Sequence, residues 1–209
     1  MSLPSDLQET ASRIRLDHVE QISRDIQIAE IFMILHQVIL AREHHLGPNT
    51  VRILMNVADE KILRRLARSS TKESQSSFSV ALLLGAHLFL YAALRQVPPA
   101  GLLLQTLLAR LEQHLKGLSF NPDSRGEIHA WLWLLFVGML VESSSRPSAP
   151  RTFTIRLEVF CRAHAILKVE AVIHVLEKFL WLESACLQPS IEFWDRFVLA
   201  EGVVSQDTT

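Results

Sequence analysis

The chain has 209 residues, enough for one large domain or two small ones. A chain of this size buries roughly 70% of its unfolded surface, so its core needs no covalent staples. Hydrophobic residues make up 49%, charged residues 21%, and mean hydropathy is +0.21, which excludes a disordered chain. Basic and acidic residues number 21 and 22, for a net charge of -1 and a pI of about 6.8, so no basic field exists to hold a polyanion. Two cysteines exclude a disulfide framework or a thiolate zinc module and point to a reducing compartment.

The first residues, from Met1 to Glu20, carry acids and Pro4 where a signal peptide needs a basic start and an apolar core, so secretion is not expected. Helical periodicity then runs through nearly the whole chain, and no stretch alternates as a strand does. The first predicted helix spans His18 to His44, with Ile22, Ile26, Ala29, Met33, His36 and Leu40 on one face. Gly47-Pro48-Asn49-Thr50 ends it and caps a second helix reaching Arg68. In that second helix Val51, Leu54, Met55, Ala58, Ile62 and Leu66 form the apolar stripe, while Arg52, Asp59, Lys61 and Arg65 face outward.

After a serine-rich loop, Phe78 to Leu94 runs about 17 residues without a charge, at the lower limit for a bilayer span. A helix buried on all sides of a bundle has the same composition, and we expect that here. Further helices are predicted over Ala100–Leu115, Glu127–Val141, Phe153–Ala165, Lys168–Leu182 and Pro189–Leu199. Lys116-Gly117 closes the first of these, and Ser143–Pro150 is the clearest loop. The expectation is an all-α protein of about eight helices, one globular domain over residues 1–209.

Motifs for chemistry are scarce. No nucleophile elbow, glycine-rich phosphate loop or His-Glu-x-x-His pattern occurs. Cys161 and His164 form a zinc half-site with no second tight pair, and an apolar-helix cysteine is more often a small core residue. Glu170 with His174 and Asp17 with Gln21 have the spacing of surface helix pairs, and His44-His45 suits a helix C-terminus. His87 and His129 lie on apolar faces, as core histidines do. No catalytic, cofactor-binding or metal residue is therefore assigned, and the chain is not read as an enzyme. Trp131, Trp133, Trp181 and Trp194 are read as core anchors, with some free to line a pocket between helices.

The helix from Ala130 to Gly138, AWLWLLFVG, resembles the tryptophan-rich helix near the end of the regulatory domain of fungal-specific transcription factors. Arg151-Thr152-Phe153, Phe179-Leu180-Trp181 and Phe193-Trp194-Asp195 follow in the order found in that family. Upstream, His87 to Tyr91, Leu94-Arg95 and Pro98-Pro99 are similar to its apolar helix and exit. The likeness is clearest over residues 78–197. The six-cysteine zinc cluster that reads DNA in these regulators has no counterpart here, and Lys168 to Ala171 lacks the family's Ser-Trp-Glu pattern.

The resemblance implies a regulatory and interaction domain without its own DNA-binding module. It would dimerise with, or modulate, a partner regulator, with a small-molecule effector between its helices and no direct nucleic-acid binding. It also implies the nucleus; without it, the composition suits the cytoplasm. Met1 and the polar tail lead us to expect a complete chain rather than a fragment. The alternatives are a small helical enzyme or accessory protein of fungal specialised metabolism, and a membrane-associated protein anchored by Phe78–Leu94.

Overall fold

The computed structural model describes residues 26–69, 77–118, 125–143, 151–166 and 168–204. These residues form eight α-helices and one π-helical turn, with no strand among them. They are α1 (Ile26–Glu43), α2 (Pro48–Ser69), α3 (Ser77–Phe89) with its π continuation (Leu90–Leu94), and α4 (Leu102–Lys116). α5 (Arg125–Ser143), α6 (Thr152–Ala163), α7 (Val169–Leu176) and α8 (Glu183–Val204) complete the set. The all-α class read from periodicity holds. The predicted segment His18–Asp25, the Asp17–Gln21 pair and most of the Ser143–Pro150 loop lie outside the described residues.

One continuous core takes residues from every helix. α3 and α5 run through its centre: α3 packs on α1, α2, α4 and α5, and α5 also meets α6 and α7. This explains the uncharged Phe78–Leu94 stretch. Ala81 to Ala86 and Leu88 to Leu90 are buried on every side by other helices except at Gly85, where the backbone itself meets α5. Among the described residues, no helix is long and apolar enough to cross a membrane.

Two close approaches set the α5–α6 geometry. A methyl group on Gly138 would overlap the Phe153 ring, so glycine there lets α6 lie against the α5 backbone. One turn further along α5, the buried Glu142 carboxylate reaches the start of α6. It accepts from Phe153 N (2.9 and 3.0 Å), Thr154 N (3.0 Å) and Thr154 Oγ1 (3.2 Å). The residue preceding α6, Arg151, supplies no side-chain cap, so a carboxylate from a neighbouring helix satisfies donors that a helix start leaves open.

Several boundaries and faces differ from expectation, each for a local reason. α1 is not amphipathic: Ile28, Ile31, Phe32, Ile34, Leu35, Val38 and Ile39 are all buried, while Ile26 is exposed. The predicted helix Lys168–Leu182 stops at Leu176, because turns at Lys178 and Phe179 swing Phe179 inward and free the Leu180 carbonyl for Trp133. α8 starts at Glu183 rather than Pro189. Pro189 lies within its early turns and removes one backbone donor, and Ser190 Oγ donates to Cys186 O at 2.8 Å nearby.

Chain reversals also depart from the glycine rule. Gly117 closes α4 with an ordinary φ of -82°. The left-handed residues are His45, Gln96 and Ala165, at φ 52°, 53° and 53°. At each, the next amide bonds back across the turn: Leu46 N to Ala41 O (2.8 Å), Val97 N to Tyr91 O (3.0 Å) and Ile166 N to Cys161 O (2.9 Å).

Candidate functional site

The densest polar constellation among the described residues joins α2 to the end of α3. Asp59, read from sequence as outward-facing, turns instead toward α3. Its side chain is only 17% exposed. Asp59 Oδ1 lies 2.9 Å from His87 Nε2, and Asp59 Oδ2 accepts from Tyr91 OH at 2.8 Å and from Arg95 Nη2 at 3.3 Å. Arg95 Nη2 also donates to Asn56 Oδ1 at 2.9 Å, and its guanidinium lies over the Tyr91 ring, 5.2 Å from the centroid.

The π turn makes this convergence possible. His87, Tyr91 and Arg95 are spaced by four, and in a regular α-helix such residues drift steadily round the axis. The wider turn, closed by Arg95 N to Leu90 O at 2.8 Å, brings the drift back and keeps all three over Asp59.

Electrostatics follow the packing. Burial lowers the His87 pKa against the opposing pull of Asp59, with Arg110 and Arg95 adding to the decrease. Burial raises that of Tyr91, Asp59 adding to the rise and Arg95 opposing it. The result is a closed network. Both Asp59 oxygens are occupied, and His87 Nδ1 is buried without a hydrogen-bond partner. The geometry holds two helices together.

Space lies elsewhere: four cavities among the described residues are lined by none of Asp59, His87, Tyr91 and Arg95. A small one of about 130 Å³ between α1 and α2 is lined by Lys61, Arg64, Arg65, Arg68 and Glu30, with Lys61 Nζ 2.8 Å from Glu30 Oε1. Another, of about 630 Å³, joins Arg42, Glu43 and His45 to Leu182, Glu183 and Ser184. His129, His164, His174 and Lys178 share a third of about 500 Å³ with apolar neighbours. Among the described residues, no group of three or more His, Cys, Asp or Glu is arranged to hold a metal ion.

The fourth is a groove of about 350 Å³ between α4, α5 and α6. Trp131 and Leu135 line it from α5, and Leu115 and Leu118 from the end of α4. Ile155 and Val159 wall it from α6 and are 58% and 53% exposed. Among the described residues its charged lining side chains are Lys116 and Arg156, with no acidic one. Lys116 Nζ pairs with Glu112 at 2.7 Å along its own helix, and no ion pair joins Arg156 to a described residue.

The residues singled out in the sequence are scattered. Cys161 and Cys186 are buried free thiols, each pushed up to about 12 by burial, so neither is a thiolate. His164 packs its ring on Phe160, 4.4 Å between centroids, and His174 is exposed on α7. The tryptophan segments do converge. Trp133 stacks on Phe179 at 5.8 Å and donates Nε1–H to Leu180 O at 3.3 Å, and Phe136 lies 6.1 Å from Trp181. Asp59, Lys116, Arg156, Ile155 and Val159 were not read as site residues. The only sequence signal for the groove is the four-residue spacing of Ile155 and Val159, opposite the buried Leu157 and Phe160. Compared with protein-family models, with curated proteins and with solved structures, the chain matches none.

Proposed function

We propose that the chain is a regulatory and interaction module of the fungal transcription-factor type, acting through a protein partner rather than by touching DNA. One observation carries this reading. Three segments of the resemblance, Ala130–Gly138, Arg151–Phe153 and Phe179–Trp181, are far apart in sequence yet pack into one core through Trp133, Gly138, Phe153 and Phe179. The near-neutral charge supports an indirect relation to DNA. The reading places the protein with a partner regulator in the nucleus and assigns it no catalytic step. The closed Asp59 network and the apolar lining of the α4–α6 groove suit contact and ligand response better than chemistry.

The test is affinity purification of the tagged chain with identification of what co-purifies, together with transcript profiles after its deletion. A DNA-binding regulator in the complex and a coherent set of altered transcripts are expected. Capture of no regulator, with unchanged transcripts, overturns the reading.

A further inference from the structure

The groove at Trp131 goes beyond a general ability to bind partners, because its chemistry selects an occupant. Its volume of about 350 Å³ is at the lower end of the range for small-ligand sites. Trp131, Leu135, Ile155 and Val159 give it apolar walls, and Ile155 and Val159 stay largely exposed although Phe153, Leu157, Phe160 and Cys161 of the same helix are buried. The charge at its rim has one sign. Lys116 and Arg156 approach from two different helices, and no carboxylate of a described residue lines the groove. Glu112 already engages Lys116, whereas Arg156 has no ion pair with any described residue. An apolar slot with cations at its mouth complements a hydrocarbon tail that ends in an anion, since arginine binds a carboxylate through paired N–H donors.

We propose that this groove binds a free monocarboxylate with a short apolar tail, the carboxylate against Arg156 and Lys116 and the tail over Trp131. The proposal deepens the regulatory reading by naming the effector class, and it rests on that reading only for its biological sense.

The experiment is calorimetric titration of the full chain with octanoate and, separately, with its neutral counterpart 1-octanol. Octanoate is expected to bind one per chain and at least tenfold more tightly than octanol. The double substitution Lys116→Ala with Arg156→Ala, at positions outside the core, is expected to weaken octanoate at least tenfold and leave octanol unchanged. Val159→Arg, which fills the slot from an exposed position, abolishes binding of both. Equal affinity for the acid and the alcohol overturns the proposal. So does undiminished octanoate binding by Val159→Arg, or no octanoate binding at any concentration up to its solubility limit. Should Val159→Arg fail to fold, the charge-substituted chain still decides the outcome. Repeating the affinity purification with Val159→Arg separates the two readings: loss of a regulator from a groove that takes no octanoate makes it a protein-docking site, and retention with no octanoate bound removes only the effector.

Discussion

The Asp59 network and the Trp131 groove are opposites. The first gathers an aspartate, a histidine, a tyrosine and an arginine within hydrogen-bond reach and leaves them no room. The second has room and no such gathering, only apolar walls and two cations. A cluster of reactive residue types can thus serve to join two helices. Polar groups that satisfy one another act as a clasp, and an apolar surface that the fold leaves uncovered is what remains open to a ligand.

Substitutions should separate closed from open regions, and the largest effects belong to the α5–α6 seam that shapes the groove wall. Glu142→Ala leaves the Phe153 and Thr154 donors unpaired in a buried place, and a loss of about 3 kcal/mol or more is expected in urea unfolding. Gly138→Ala should cost at least as much, because the Phe153 ring must move off α5. A small effect for either would mean that the seam is looser than the clasp.

Asp59→Ala comes next. It strips His87, Tyr91 and Arg95 of their shared acceptor, and a loss of about 2 to 3 kcal/mol is expected by thermal unfolding. If stability were unchanged, the clasp would have to be reinterpreted as a site held ready for something else.

Acid should act through the closed core and not through the groove. His36 is buried in α1, its pKa lowered to about 4 by burial against an opposing hydrogen bond with the Phe179 backbone. A folded value below the ordinary 6.5 means that the stabilisation of the neutral ring is complete above 6.5 and is lost as pH falls through about 4. Between pH 7 and 4.5 this group costs on the order of 2 kcal/mol, and His87, shifted the same way, adds to it. A variant with His36→Gln, followed by urea unfolding across that pH range, should show a shallower acid slope than the parent chain. An identical slope would remove His36 as the cause.

Smaller effects close the series. Ala165 is left-handed and exposed at the end of α6, so Ala165→Gly should stabilise the chain by about 1 kcal/mol, read as a raised melting temperature. Val159→Arg should change stability by less than about 0.5 kcal/mol, as expected of a side chain that already faces solvent. A large loss there would mean that the groove is a packed seam and not an open surface.

The difference between the two regions also explains what was legible in the chain. Trp131, Trp133, Trp181 and Trp194 read as core anchors because large aromatics in apolar helices have nowhere else to go; three are buried and Trp181 is partly buried against the core. Asp59 reads as outward-facing because Arg52 and Glu60 on the same helix face solvent, and helix periodicity cannot tell which partly polar face a second helix will cover. Its partners lie 28 to 36 residues away. Glu142 was invisible for a similar reason: its role depends on how closely Gly138 lets α6 approach.

What the sequence determined by itself was the helical class and most of the helix ends, because three- and four-residue periodicity and caps are local properties of the chain. It also determined that Phe78–Leu94 would avoid water. Whether that stretch met lipid or protein, which polar groups would pair, and which apolar residues would stay uncovered were decided by tertiary packing. Those outcomes depend on surfaces brought together from distant parts of the chain: α1 and α5 against α3, Asp59 against the π turn, and α6 against α4 across a groove with exposed apolar walls.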